Sequence, residues 1–379
     1  MHTLKVMSIV GTRPEGIKMA PLLHILERTE GVRSVLCLTA QHREMLDQVL
    51  SLFSLKPDYD LDIMRREQSL THITARALEG LEAVIRQEQP HIVLVQGDTT
   101  TTFVGALAAF YQQVPVGHVE AGLRSGEKYA PFPEEINRRI SSVIADLHFA
   151  PTSVARDNLL REGVSPERIH VTGNTVIDAL KTTVQPHYRF SAAPLQELDF
   201  SRSRVLLLET HRRENLGEPM RQSCLAVRQL LDDFPDTMLV FPVHKNPAVR
   251  RIAEQCLAGH RRAVLLEPLD TLEFHNLMAR CHLILTDSGG IQEEAPSLGV
   301  SVVVLRAVTE RPEAVEAGTA VLAGTDRERI YGAAARLLRD REAYARMART
   351  ANPYGDGHAS ERILKIIQRY FNSGVSSQQ

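Results

Sequence analysis

At 379 residues the chain exceeds one ordinary hydrophobic core, so two domains are expected. Hydrophobic residues at 43% and charged residues at 24% are ordinary globular proportions and leave little room for extended disorder. Lys+Arg 44 against Asp+Glu 46 gives a net charge of -2, which supplies no field for nucleic acid, so an anionic ligand has to be met by a local site.

The N-terminal stretch MHTLKVMSIVGTRPEG has a short apolar run, no small-residue cleavage site, and a Gly-rich turn directly after the run. It reads as a buried first strand rather than a signal peptide. Apolar runs follow at 6–10, 35–39, 91–96, 114–119 and 147–150, separated by helix-like stretches at 41–52, 71–88, 101–112 and 134–145. Buried runs flanking helices predict a parallel sheet covered on both faces. The pattern restarts at 204–209, 237–242, 263–266, 282–286 and 300–305. The fold class is therefore α/β, with two Rossmann-like, doubly wound domains facing a central cleft. Their expected limits are 1–172 and 173–357, with the hinge between Gly173 and Ser203, near the weakly patterned segment 182–203. The stretch 358–372 reads as an amphipathic helix able to return to the first domain. Cys37, Cys224, Cys256 and Cys281 are scattered with no C-x-x-C spacing, which argues against structural disulfides and a zinc site. No apolar run has the length of a membrane span, and a cytoplasmic location is expected.

The first strand ends in GTRPEGIK, a Gly-rich turn at the place where an open α/β sheet binds phosphates. Ile17 stands where a Walker A loop needs lysine, and the G-x-G-x-x-G spacing is absent, so neither an NTPase nor a nicotinamide enzyme is supported. A plain tight turn with Pro14 starting the helix is the simpler alternative. Arg13 and Lys18 favour anion binding. At the next strand ends stand Asp98, in GDTT, and Glu120, in EAGLR; PFPEEINRR then offers Glu134, Glu135 and Arg138 at a helix start. Asp98 can also be read as a helix cap, and the two glutamates as helix-start acids. Three acidic groups converging on one mouth fit acid–base chemistry better than three separate caps. In the second half, ETHRREN brings His211, Arg212 and Arg213 to a strand end, and FPVHKNP brings His244 and Lys245. TDSGGIQEE opens a helix at Ser288-Gly289-Gly290, where backbone N–H groups can meet phosphate oxygens, with Glu294 placed for ribose hydroxyls. A Gly-rich helix cap is the alternative there.

Taken together, GTRPE, TAQHREMLDQVL, GDTTTT, GHVEAGLRS, PFPEEINR, TGNTVIDAL, HRREN, PVHKNP, TDSGGIQEEAPSLG, TERPEAV and NPYGDG resemble, in the same order, the motifs of the bacterial non-hydrolysing UDP-N-acetylglucosamine 2-epimerases. The resemblance runs from Lys5 to about Ile367. It implies the two-domain fold of the GT-B glycosyltransferases, a homodimer, and interconversion of UDP-GlcNAc and UDP-ManNAc. The implied chemistry eliminates UDP to 2-acetamidoglucal and adds it back after C2 is protonated on the other face. Carried over residue by residue, the catalytic groups fall on Asp98, Glu120, Glu134 and His211, with Arg138 supporting Glu134. The UDP contacts fall on Arg13, Ser288, Gly289, Gly290 and Glu294, joined by Lys18 and Arg311. No metal and no nicotinamide is implied. A second, activating UDP-GlcNAc would meet Gln41, His42, Glu135, Arg212 and His244. Here the sequence departs from the family: Glu67 stands where arginine is usual, Lys245 replaces an apolar residue, and Glu209-Thr210-His211 replaces Thr-x-His. A hydrolysing relative releasing ManNAc and UDP, a GT-B glycosyltransferase and a non-catalytic UDP-sugar sensor remain the competing readings.

Overall fold

The computed structural model describes residues 3–40, 43–65 and 68–373, with backbone alone at 43–45. The chain divides into two compact units, Met1–Lys181 with Tyr354–Gln379, and Thr182–Pro353. Among the described residues the first holds seven strands: β1 (Leu4–Val10), β2 (Val32–Leu38), β3 (Tyr59–Asp60), β4 (Ile92–Gln96), β5 (Val116–Val119), β6 (Leu147–Ala150) and β7 (Ile169–Val171). They pair in parallel in the order β3-β2-β1-β4-β5-β6-β7. The second holds β8 (Arg204–Glu209), β9 (Thr237–Pro242), β10 (Ala263–Leu266), β11 (Leu283–Thr286), β12 (Ser301–Val304) and β13 (Ala320–Leu322). These are also parallel, in the order β10-β9-β8-β11-β12-β13.

The apolar runs are continuous because both faces of each sheet are covered. In β1 and β2, Val6, Val10, Leu36 and Leu38 pack with Met19, Leu22 and Leu26 of helix Arg13–Arg28. The alternate residues Met7, Ile9, Val35 and Cys37 pack with Ala77, Leu81, Val104 and Ala108 of helices Leu70–Glu88 and Thr100–Tyr111 on the other face. The period of two along each strand assigns these faces. In the second unit Leu206, Leu208, Leu283 and Leu285 build one core with Val227 and Leu230 of helix Glu218–Asp233. Strand order reverses at β1/β4 in one sheet and at β8/β11 in the other. The crevice outside the carboxyl ends of strands at such a point is where open α/β sheets take their ligands.

Three strands are absent from the sequence reading: β3, β7 and β13. All lie at sheet edges and have two or three residues. An edge strand that short carries no apolar run to detect. The division between units also lies elsewhere than the expected 172/173 and 357/358. Asn174 donates its backbone N–H to the Tyr354 carbonyl at 2.7 Å, and Tyr354 is fully buried, which ties both segments to the first unit. Helix Ala359–Asn372 contributes Ile363, Leu364 and Ile367 to the same core as Val6 and Leu22. Its N-terminal amides at Ala359 and Ser360 donate to Asp178 at 3.2 and 2.8 Å. No helix among the described residues is long and apolar enough to cross a membrane.

Candidate active site

The β1 turn is set by close approach. A Cβ on Gly11 would meet the Thr101 and Thr39 hydroxyls at 2.1 and 2.3 Å, so only glycine lets the turn reach helix Thr100–Tyr111. Arg13 opens helix Arg13–Arg28, and Thr12 is its N-cap residue. Glu15, 1% exposed, accepts the Gly11 and Thr12 amides at 2.8 and 2.7 Å. Burial pushes its carboxyl pKa up, and the hydrogen bonds from Thr99, Gly11 and Thr12 only partly offset this.

Glu120 follows β5 directly, buried, with φ 66. A non-glycine residue in the left-handed region persists only where its surroundings hold it, and such positions cluster at functional sites. Lys18 Nζ lies 2.6 and 2.8 Å from the two Glu120 oxygens, Asn174 Nδ2 donates to Oε1 at 3.0 Å, and Gln96 Nε2 donates to Oε2. Lys18, expected on the nucleotide, is thus ion-paired with the carboxylate in this state. Gly97 lies beside Glu120: a Cβ there would stand 3.4 Å from Oε2.

Asp98 is not the helix cap, because Thr99 fills that place and accepts the Thr102 amide at 3.2 Å. Its Oδ2 instead takes both Nε and Nη2 of Arg138, at 2.9 and 2.7 Å, while Asn137 Nδ2 donates to its carbonyl at 2.9 Å. Helix Glu134–Ile144 is thereby fastened to the β4 turn, and Glu134 stands at its first position. Arg138 also donates to Glu135 at 3.1 Å. It pairs with the carboxylates of Asp98 and Glu135, whereas Glu134 Oε2 is buried without a hydrogen-bond partner. Glu135 is fully buried; burial raises its pKa, but the Ser125 amide and Arg138 outweigh that and hold it low. His118, fully buried on β5, bonds the Gly97 carbonyl through Nε2 at 2.7 Å, and burial pushes its pKa down to about 4. At neutral pH it is an uncharged donor steadying the turn that carries Asp98.

In the second unit, His211 Nδ1 lies 2.6 Å from Glu209 Oε1 and 3.8 Å from Asp287. The Glu209 hydrogen bond raises the His211 pKa against an opposing effect of burial. Its ring stacks on His244 at 5.6 Å between centroids. Glu209, His211 and Asp287 bring ligand-type atoms within 4.8 Å of one another, a spacing a metal ion could use. Asp287 is committed otherwise: Thr210 Oγ1, the His211 and Arg212 amides and Asn215 Nδ2 all donate to it. It is a hydrogen-bond hub that shapes the β8 turn. Ser288 stands at the N-cap position of helix Gly289–Glu294, without a capping hydrogen bond from its side chain. A Cβ on Gly289 would stand 3.0 Å from Glu310, 3.6 Å from Arg212 Nη2 and 3.8 Å from Arg311, so two guanidinium groups flank this turn. Arg212 pairs with Glu310 at 2.7 Å, and Arg311 pairs with the buried Glu293. Glu294 lies 3.6 Å from His275 Nε2, whose Nδ1 is bonded to Thr183 Oγ1 at 2.7 Å. Gln41, His42, Arg66 and Glu67 lie outside the described residues.

Within the first unit the structure brings Lys18, Asp98, Glu120 and Arg138 to neighbouring strand ends. Within the second it brings together His211, Arg212, His244, Ser288, Gly289 and Arg311. The sequence did not point to Glu15, Gln96, Asn174 or Asp287 as site residues, and it marked Glu209 only as a departure from the family rather than as the partner of His211. The Thr12-x-x-Glu15 spacing of a capping box was a legible signal for Glu15. Asn174 lies within the TGNTVIDAL motif, but nothing local paired it with Glu120, 54 residues away.

A sequence profile described as UDP-N-acetylglucosamine 2-epimerase matches residues 24–368. The chain is 54% identical over 379 residues to the UDP-N-acetylglucosamine 2-epimerase of Bacillus subtilis, covering 100% of this chain and 98% of that one. It is 50% identical over 372 residues to the enzyme of that name from Yersinia pestis, covering 97% and 99%. The crystal structure of UDP-GlcNAc 2-epimerase from Neisseria meningitidis bound to UDP-GlcNAc superposes with a TM-score of 0.87 at 47% identity, over 97% of this chain and 100% of that one. Full-length likeness at this identity, together with acidic and basic groups at the switch points of both sheets, shows that the chain belongs to the UDP-N-acetylglucosamine 2-epimerase family.

Proposed function

We propose that the chain interconverts UDP-N-acetylglucosamine and UDP-N-acetylmannosamine by inverting C2. The proton leaves C2 as UDP leaves C1, giving 2-acetamidoglucal; C2 is then protonated on the opposite face and UDP returns to C1. The observation carrying this reading is the pair of braced carboxylates at adjacent strand ends: Glu120 under Lys18, Gln96 and Asn174, and Asp98 under Arg138. Inverting a carbon requires proton transfer on two faces, hence more than one acid/base group. Glu120 and Asp98 handle the C2 proton, and Glu134 serves as a further acid/base or orienting group. His211, inclined to hold a proton by Glu209, eases departure of the UDP oxygen. Arg13, Ser288, Gly289, Gly290, Glu294 and Arg311 hold the nucleotide, with guanidinium and backbone donors meeting the diphosphate charge. Lys18 joins them when it leaves Glu120.

The proposal includes a homodimer, a cytoplasmic location and use of the product for surface polysaccharide. It also includes a second UDP-GlcNAc as activator, near Gln41, His42, Glu135, Arg212 and His244. The four buried, unpaired cysteines suit a reducing compartment. Light scattering tests the dimer, and sigmoidal dependence of the reverse reaction on added UDP-GlcNAc tests the activator. The decisive measurement is NMR of UDP-GlcNAc incubated with the protein in D2O. Deuterium should enter C2 while UDP stays attached in both epimers. Release of free ManNAc with UDP would instead establish the hydrolysing reaction, and transfer to an added sugar acceptor a glycosyltransferase.

A further inference from the structure

Glu15 is the buried carboxylate that the chemistry above does not use. Its two oxygens serve two different loops. Oε2 accepts the backbone amides of Gly11 and Thr12 at 2.8 and 2.7 Å, both in the turn after β1. Oε1 accepts the Thr99 hydroxyl, in the turn after β4, and lies 3.2 Å from that of Thr102 in the first turn of helix Thr100–Tyr111. Arg13 follows Thr12 directly and Asp98 precedes Thr99 directly. One side chain therefore spans the switch point between β1 and β4, with a nucleotide-binding candidate on one side and a catalytic candidate on the other. A capping box alone requires only the bond to the Thr12 amide. The bond from the Thr99 hydroxyl, 84 residues away, has no part in capping helix Arg13–Arg28.

The partners are also arranged in one sense. Thr99 Oγ1 accepts the Thr102 amide and gives its proton to Glu15, while Thr102 Oγ1 donates to the Gln96 carbonyl at 2.6 Å. The carboxylate thus fixes the hydroxyl that caps the helix behind Asp98, and through it the pitch of the Gly97-Asp98 turn. Gly11 leaves no slack, because a Cβ there would collide with the hydroxyls of Thr101 and Thr39.

We propose that Glu15 is a positioning residue for the epimerase reaction, a strut that fixes the distance between the Arg13 turn and the Asp98 turn. The inference rests on the function proposed above. The strut acts by its span and its acceptor atoms. Glutamine can reproduce it: the amide oxygen takes the two backbone N–H groups, and the amide nitrogen donates to Thr99, whose hydroxyl can rotate. Aspartate keeps the charge but is one methylene too short to reach both loops.

The test compares Glu15→Gln, Glu15→Asp and Glu15→Ala with the wild-type chain, measuring kcat and KM for UDP-GlcNAc, UDP affinity by calorimetry, and thermal midpoints. A strut predicts that Glu15→Gln stays within a few-fold of wild type. Glu15→Asp and Glu15→Ala should lose about 10²-fold in kcat, the scale expected when a reacting group is misplaced by an ångström. Retained kcat in Glu15→Asp with loss in Glu15→Gln would overturn the proposal in favour of a charge effect. Lower midpoints with unchanged kcat in both Glu15→Asp and Glu15→Ala would overturn it in favour of a purely structural cap. Should the alanine variant fail to fold, the glutamine and aspartate pair still decides. Absence of epimerisation by the wild-type chain would refute the functional reading itself, an outcome separable from all of these.

Discussion

Glu120 and Asp98 differ in how they are held, and that difference carries into what their substitution should do. Glu120 accepts from one ammonium and two amides, whereas Asp98 accepts a two-pronged guanidinium through a single oxygen. Replacing either by its amide keeps the shape and removes the proton acceptor. Glu120→Gln and Asp98→Asn should each lower kcat by about 10²–10⁴-fold, the usual scale for a lost acid/base group. UDP affinity, measured by calorimetry, should persist; normal turnover would refute the assigned roles. His211 makes a second residue-scale case. Its folded pKa is raised above the ordinary 6.5, chiefly by the hydrogen bond to Glu209. A histidine raised in the fold contributes stability that is complete below 6.5 and fades as pH climbs through the raised value. Glu209→Gln should therefore bring the NMR titration midpoint of His211 down. It should also destabilise the protein in acid more than at pH above that window. An unchanged midpoint would show that Glu209 does not set the protonation of His211.

At the scale of elements, helix Ala359–Asn372 shows what pattern alone can and cannot deliver. Its apolar positions 363, 364 and 367 announce an amphipathic helix. They do not say which sheet covers them. In the structure they join Val6, Leu22 and Leu26, and Asp178 accepts the first amides of the helix. Ile367 is fully buried, so Ile367→Ala should cost about 2–5 kcal/mol in thermal or denaturant unfolding. A change below 0.5 kcal/mol, the range of an ordinary surface substitution, would mean that the helix is not part of this core. The same limit governs the site. Strand ends bearing Asp98, Glu120 and Ser288 were legible because each follows a long apolar run. β3, β7 and β13 were not, having two or three residues each. The brace on Glu120 was equally silent: Lys18 and Asn174 come to it from 102 and 54 residues away, and no local period encodes such a meeting.

The whole molecule is built from one continuous and one interrupted unit. Residues Thr182–Pro353 form the second without a break, whereas the first must wait for Tyr354 and the helix beyond it. Both crossings leave the first unit at nearly one place. Lys181 Nζ donates to the Gly357 carbonyl at 2.9 Å, and a Cβ on Gly173 would stand 3.3 Å from the Gly355 α-carbon. A short Gly/Ser linker from Lys181 to Tyr354 can therefore replace the entire second unit with little loop-closure cost, since that cost grows only slowly with length. The fused fragment 1–181/354–373 should give a cooperative melt by circular dichroism. Residues 1–181 alone should not, because the face of the sheet that Ile363, Leu364 and Ile367 cover would be left open to water. Fragment 182–353, with its own core and no missing element, should melt cooperatively alone. Equal melts for 1–181 with and without the C-terminal helix would mean that the first core closes without it, and that the interruption carries no energetic weight.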